Sequence, residues 1–123
     1  MIRACDIFKS YGNSDNPLPV LRGISLEIEE GAFAVILGAS GSGKSTLLNV
    51  LSGLETPDQG EVFYGEKKIT GLGERELTQF RKEYVGFIFQ QYYLLPHMNV
   101  DKNVKMGADL SGNKDYREMI NAV

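Results

Sequence analysis

The sequence predicts an α/β fold, in which helices pack against a sheet that is at least partly parallel. Residues 33–38 ("FAVILG") and 85–90 ("VGFIFQ") are continuous apolar runs. Such runs are typical of parallel strands that are buried on both faces. After the first run, leucines recur at helical spacing, at Leu47, Leu48, Leu51 and Leu54. A glycine-rich segment separates the run from these leucines, so the order is strand, turn and helix.

The segments around this unit favour shorter strands of the antiparallel kind. Residues 24–30 ("ISLEIEE") alternate apolar and polar side chains, which is typical of a half-exposed strand. Pro57 is predicted to end the helix that carries the leucines. Residues 61–69 ("EVFYGEKKI") are predicted to form two short strands joined by a turn at Gly65.

Helical patterns return in the second half of the chain. Residues 74–84 ("ERELTQFRKEY") predict an amphipathic helix with Leu77 and Phe80 facing inward. Asn99 is predicted to N-cap a short helix over residues 100–106.

Composition limits the partners that this chain is expected to have. A chain of 123 residues is one small domain or a piece of a larger one. Its net charge of −3 argues against a nucleic-acid partner, because such binders carry a basic face. The single cysteine, Cys5, excludes an internal disulfide and fits a reducing compartment. The longest apolar run is far too short to span a membrane, so any membrane link is expected to come through a partner.

The segment "GASGSGKST", residues 38–46, predicts a phosphate-binding loop. Gly38, Gly43, Lys44 and Ser45 fit the pattern G-x-x-x-x-G-K-[ST] between a strand and a helix. Backbone N–H groups of such a loop surround phosphate oxygens, and the helix dipole adds positive charge. Lys44 is expected to reach the terminal phosphates and Ser45 to bind Mg²⁺. The predicted contacts to Mg-ATP come from Gly38, Ala39, Ser40, Gly41, Ser42, Gly43, Lys44, Ser45 and Thr46.

Three separated stretches together resemble the nucleotide-binding domain of ABC transporters. They are "FKSYG" with Tyr11, then "VLRGISLEIEEGAFAVILGASGSGKSTLLNVLSGLETPDQGEV", then "VGFIFQQYYLLPHMNVDKNV". The resemblance covers nearly all of the chain up to about Val104. Within the superfamily, "ELTQFRKEYVGFIFQQYYLLP" is most similar to the group that serves lipoprotein release, macrolide export and antimicrobial-peptide export.

The resemblance implies roles for residues outside the loop. Tyr11 matches the aromatic residue that stacks on adenine, although an ordinary aromatic at a strand end is the alternative. Gln90 matches the glutamine that contacts Mg²⁺ or the attacking water, because it directly follows the apolar run, whereas Gln91 does not. Lys44 and Gln90 are thus the expected catalytic residues within this chain, and Ser45 and Gln90 the expected contacts of the metal. His97 is interpreted as an ordinary loop residue.

The resemblance also implies how the complete protein works. It would be an ATPase that drives export or extraction of a peptide, lipoprotein or drug-like substrate. It would act as a dimer of two copies on a transmembrane permease, peripheral to the cytoplasmic face of the cell membrane. The family's signature motif, its strand ending in Asp-Glu and its switch histidine do not occur in this sequence. Residues 1–123 are therefore expected to be the N-terminal part of one ATP-binding domain, containing part of a parallel core sheet and an antiparallel β part, and to be inactive alone.

Other P-loop proteins remain as alternatives. A soluble ABC-type ATPase without a permease shares the same loop, and so does a small-molecule kinase, which would not need Tyr11 or the "FIFQ" segment. "DLSG" and "NKD" near the C-terminus resemble GTPase motifs. No buried strand leads into Asp109, and Tyr116 lies where that family needs Asp, so the sequence argues against a GTPase. "LSGN", residues 110–113, is interpreted as a loop.

Overall fold

A computed structural model of the chain describes residues 1–91 and 93–111. It divides into two compact units, Met1–Arg81 and Lys82–Val123. The elements in chain order are β1 (Ile2–Asn13), β2 (Asn16–Ile28), α1 (Lys44–Leu51), β3 (Gln59–Tyr64), β4 (Lys67–Lys68), α2 (Glu74–Tyr84) and α3 (Val100–Ser111).

The first unit contains an antiparallel sheet with the strand order β2-β1-β3-β4 within the described residues. The strands β1 and β2 form a long hairpin that pairs Asn13 with Asn16 across a two-residue turn and Ile2 with Ile28 at the other end. The strands β3 and β4 pair around a turn at Gly65, as predicted. The predicted half-exposed strand forms the end of β2. The hairpin partner β1 was not predicted.

The apolar core of the first unit lies where the sheet meets the helices. Each member of the core has at most 8% of its surface exposed. Burial of such side chains contributes roughly 1.5–3 kcal/mol each. The core comprises Ala4, Ile7, Leu21, Leu47, Val50, Leu51, Val62, Ile69 and Phe80.

The helix α1 confirms the helical prediction but ends earlier than expected. The N–H of Gly53 donates to the carbonyl of Val50 at 3.2 Å, and the N–H of Leu54 donates to the carbonyl of Asn49 at 2.9 Å. These two bonds form a Schellman motif, which needs a left-handed residue just beyond the helix. Gly53 supplies it with a φ of 73°. The helix is therefore ended by Gly53 and not by Pro57.

The helix α2 has the predicted bounds and the predicted inward face. Phe80 is 1% exposed, and its ring meets the ring of Tyr64 edge-on with centroids 4.7 Å apart. The guanidinium of Arg81 donates to the carbonyl of Gly53 at 2.6 Å. The carboxylate of Glu76 accepts a hydrogen bond from the N–H of Gly73 at 3.1 Å, which satisfies one donor at the start of the helix.

The two apolar runs that predicted parallel strands do not pair as strands in the described residues. Residues 33–38 and 85–90 have no regular secondary structure there. Phe33 is 93% exposed, Leu37 is 87% exposed and Ile88 is fully exposed. The prediction of formed strands at these positions is wrong for this chain. A strand requires a hydrogen-bonded neighbour, and the antiparallel sheet does not include either run.

The second unit contains α3, which is longer than predicted. The side chain of Asn99 accepts a hydrogen bond from the N–H of Lys102 at 2.9 Å, so the predicted N-cap is confirmed. The helix continues past residue 106 to Ser111, so the loop interpretation is wrong for Leu110 and Ser111. Residues 112–123, which include the end of "DLSG" and all of "NKD", lie outside the described residues. No helix among the described residues is long and apolar enough to cross a membrane.

Candidate nucleotide-binding site

The glycine-rich loop leads directly into the first turn of α1. Gly43 is the N-cap and has a left-handed backbone with a φ of 96°. A side chain at this position would also lie 2.9 Å from the Cγ1 of Val20, so glycine is required for two reasons. Within the described residues no side chain caps α1. The N–H groups of its first turn are therefore left without a side-chain partner, and such groups at a helix start are suited to binding an anion.

The ammonium of Lys44 is folded back over the loop. Its Nζ donates to the carbonyl of Ala39 at 2.6 Å and to the carbonyl of Gly38 at 2.7 Å. A weaker contact of 3.5 Å reaches the hydroxyl of Ser42. The N–H of Ser42 in turn donates to the carbonyl of Ala39 at 3.2 Å, which closes the loop into a turn. The positive charge is thus held against the same loop whose N–H groups are available to an anion.

Tyr11 reaches the same helix from the end of β1. Its hydroxyl donates to the Oγ1 of Thr46 at 3.3 Å. The structure therefore brings together two residues that lie 35 positions apart in the sequence, both predicted to contact nucleotide. Tyr11 has 39% of its surface exposed, which leaves area for a base. Ser45 lies in the first turn of α1 and is exposed.

The hydroxyl of Tyr11 stays protonated at neutral pH. Partial burial raises the pKa of Tyr11 above its usual value of 10.0, and the nearby carboxylate of Glu55 raises this pKa further. The contacts with Thr46 and with Lys9 act in the opposite direction. Because the net shift is upward, Tyr11 remains a neutral hydrogen-bond donor over the physiological range.

A charged cluster next to Tyr11 was not predicted from the sequence. The ammonium of Lys9 lies 5.6 Å from the centre of the Tyr11 ring. It also lies 3.6 Å from a carboxylate oxygen of Glu55 and 3.5 Å from one of Asp58. Lys9 precedes Tyr11 by two positions in β1, and this spacing, which puts alternate side chains on one face of a strand, was the available signal.

Gln90 belongs to the second unit and is exposed. Its contribution to Mg²⁺ binding stays a prediction, as does the preference for it over Gln91. The ring of Phe89, just before it, meets the ring of Tyr93 edge-on with centroids 5.0 Å apart. His97 is exposed in a turn before α3.

The first unit fits a nucleotide with its metal ion. An uncapped helix N-terminus and a lysine ammonium on one loop match the charge of a polyphosphate. No cluster of three or more His, Cys, Asp or Glu suited to a metal occurs within the described residues. Mg²⁺ in such sites is held by few protein groups together with phosphate oxygens. The Ser45 hydroxyl is a suitable protein ligand by chemistry and position.

The chain is similar in sequence to ATP-binding proteins of ABC transporters. The sequence profile of the ABC transporter family matches residues 21–123. The chain is 41% identical over 119 residues to the lipoprotein-releasing system ATP-binding protein LolD of Acinetobacter baylyi. It is 47% identical over 104 residues to the bacitracin export ATP-binding protein BceA of Halalkalibacterium halodurans. These matches cover 97% and 85% of the chain, but only 52% of LolD and 41% of BceA.

A solved structure confirms the fold class. The ATP-binding cassette MJ0796, as a dimer in a post-hydrolysis state bound to ADP and Pi, superposes with a TM-score of 0.84 at 36% identity. The superposition covers 90% of this chain and 48% of that cassette. The α/β class with an antiparallel β part is therefore confirmed, although the two apolar runs are not paired as strands here. The chain spans about half the length of these relatives and belongs to the ABC transporter family.

Proposed function

We propose that the chain binds ATP with Mg²⁺ through the loop at residues 38–46 and the ring of Tyr11. Lys44 and the N–H groups of the first turn of α1 hold the phosphates. The hydroxyl of Ser45 holds the metal ion. Bound Mg²⁺ neutralises charge on the phosphates and supplies electrophilic assistance to phosphoryl transfer. Tyr11 covers the base.

One observation carries this proposal, namely the arrangement of Lys44 on an uncapped helix start. The Lys44 ammonium donates to two backbone carbonyls of its own loop, at 2.6 and 2.7 Å. Those carbonyls are neutral acceptors, whereas the oxygens of a phosphate are anionic and add the attraction of opposite charges to the hydrogen bond. A phosphate at this position is therefore favoured over the internal contacts.

The complete protein is proposed to hydrolyse ATP and to drive an ABC transporter that exports or extracts a peptide, lipoprotein or drug-like substrate. The names of the relatives, which include lipoprotein release and bacitracin export, support this substrate class. Its partners are proposed to be a transmembrane permease subunit and a second copy of the ATP-binding domain. This arrangement places the protein at the cytoplasmic face of the membrane. Residues 1–123 are proposed to be the N-terminal part of that domain.

The test is the affinity of the chain for Mg-ATP, measured by calorimetry with and without the substitution Lys44→Ala. Charge-assisted hydrogen bonds contribute about 1.5–3 kcal/mol, so we expect the affinity to fall roughly tenfold to 150-fold. Lys68→Ala is the matched control, because Lys68 lies on β4 and pairs with Glu61 at 2.8 Å. Equal affinity of the Lys44→Ala variant and the control would refute the phosphate site.

A further inference from the structure

We infer that Lys9, held by Glu55 and Asp58, is a positioning residue that fixes the Tyr11 ring for contact with the base of the nucleotide. This inference rests on the proposed function, since it assigns a support to the ring that covers the base. It is carried by the contacts of the Lys9 ammonium and by the hydrogen bond from the Tyr11 hydroxyl to Thr46.

The Lys9 ammonium is fixed from the loop that follows α1. It donates to the carbonyl of Thr56 at 2.9 Å and lies between the carboxylates of Glu55 and Asp58, at 3.6 and 3.5 Å. Only 16% of the Lys9 side chain is exposed. The backbone N–H of Ser10 also donates to the Asp58 carboxylate, at 2.6 Å. With one carbonyl and two carboxylates as partners, the Lys9 ammonium is held in one position.

From this fixed position the ammonium faces the ring of Tyr11, 5.6 Å from its centre. That distance lies within the range over which a cation is attracted to the face of an aromatic ring. The hydroxyl at the other end of Tyr11 donates to Thr46 on α1. The carboxylate of Glu55 lies beside the Lys9 ammonium, and its charge also acts on the Tyr11 hydroxyl.

The alternative role for Lys9 is direct attraction of phosphate. The geometry argues against it, because the ammonium is engaged with one carbonyl and two carboxylates of the loop at residues 55–58. Two neighbouring carboxylates also offset its charge. Lys44, by contrast, lies on the loop that carries the N–H groups of the helix start. The two lysines thus have separate roles: Lys44 binds phosphate, and Lys9 positions the Tyr11 ring.

The experiment compares two probes on the chain, Mg-ATP and Mg-tripolyphosphate, which has the phosphates but no base. A residue that acts through the ring affects only the probe with a base. We expect Lys9→Met to weaken Mg-ATP binding about twofold to fivefold and to leave tripolyphosphate binding unchanged. Lys9→Arg should retain the wild-type affinity for ATP, because arginine keeps the cation. Lys68→Met, at a half-exposed lysine on β4, is the matched control and should affect neither probe.

A second comparison uses the Tyr11→Ala background. If Lys9 acts through the ring, Lys9→Met has no further effect on ATP affinity once the ring is gone. Equal weakening of both probes by Lys9→Met would overturn the inference, since it would assign Lys9 to the phosphates or to folding. The same loss of ATP affinity with and without Tyr11 would also overturn it.

The proposed function fails by different results. If Lys44→Ala leaves tripolyphosphate binding unchanged, the phosphate site itself is refuted. If Lys44→Ala weakens both probes while Tyr11→Ala affects neither, the phosphate site stands. In that case stacking on Tyr11 and the role of Lys9 are both refuted.

Discussion

Tyr11 is held at both ends of its side chain, by a cation at the ring and by a hydrogen bond from the hydroxyl to Thr46. A ring held in this way loses little further freedom when a base covers it, and preorganised contacts bind more tightly for that reason. The bond to Thr46 also ties the ring to the helix that begins at the phosphate loop. The residues proposed to contact the base and the phosphates therefore lie at one end of α1.

The separate contributions of ring and hydroxyl can be measured with two substitutions. Stacking of a base on an aromatic side chain is worth about 1–3 kcal/mol, so Tyr11→Ala should weaken ATP binding about fivefold to 150-fold. Tyr11→Phe keeps the ring and loses the hydroxyl contacts, so most of the affinity should remain. Fluorescent-nucleotide competition measures both. An equal loss in the two variants would show that the hydroxyl, and not the ring, supports binding.

The sequence predicts contacts within one short segment better than contacts between residues far apart in the chain. The phosphate loop lies within one short segment, so its residues could be identified from spacing alone. Lys9 and Glu55 are 46 positions apart, and nothing in either segment indicates that their side chains meet. The bond between Tyr11 and Thr46 has the same character. Both contacts depend on how β1 lies beside α1 and the loop that follows it, and this placement is seen only in the folded chain.

The elements of the first unit depend on turn chemistry as much as on apolar pattern. The helix α1 ends because Gly53 adopts a left-handed backbone and closes the Schellman motif. The carbonyl of the same glycine accepts a hydrogen bond from the guanidinium of Arg81 at 2.6 Å. Gly53 therefore ends α1 and also forms a hydrogen bond to α2.

Replacing this glycine should destabilise the first unit. Gly53→Ala puts a Cβ on a residue with a φ of 73°, 3.2 Å from the Cδ2 of Leu77. Left-handed backbone costs an L-residue roughly 1–2 kcal/mol, so the free energy of unfolding should fall by at least about 1 kcal/mol. Urea denaturation followed by circular dichroism measures the change. Gly86→Ala is the control, because a Cβ there meets nothing within 4 Å. Equal stability of the two variants would contradict the role of Gly53.

Apolar pattern alone was insufficient for the two predicted parallel strands. Continuous apolar runs indicate burial on both faces, yet residues 33–37 carry Phe33 and Leu37 almost fully exposed. A run of this kind becomes a strand only where neighbouring strands supply hydrogen bonds. The antiparallel elements were predicted better, because the two strands around Gly65 pair with each other through a local turn.

For the whole molecule, exposed apolar segments predict self-association. Phe33 and Ile88 are 93% and 101% exposed, and each belongs to a run without strand partners among the described residues. Unpaired backbone beside apolar side chains is a template for pairing with another chain. Light scattering on the chain should give a mass above 13.6 kDa. The variant Phe33→Lys with Ile88→Lys should shift the mass toward that value. A monodisperse monomer of the unmodified chain would contradict this prediction.

Hydrolysis is expected to require parts that these residues lack. In the proposed site Lys44 and the metal ion on Ser45 would neutralise charge, but the glutamate and the signature motif that the family resemblance implies do not occur in the sequence. Positioning and electrostatics make up nearly all of phosphoryl-transfer catalysis, so their loss should lower the rate by orders of magnitude. The purified chain should release phosphate no faster than its Lys44→Ala variant, which reports contaminating ATPases. Turnover clearly above that control would mean that the catalytic groups were misplaced.

Amide hydrogen exchange tests nucleotide binding at the start of α1 most directly. Bound phosphate accepts hydrogen bonds from the loop N–H groups, which slows their exchange with solvent. Adding Mg-ATP should therefore slow exchange over residues 38–46 in the chain, but not in the Lys44→Ala variant. Slower exchange elsewhere, with exchange at residues 38–46 unchanged while ATP is bound, would contradict phosphate binding by this loop.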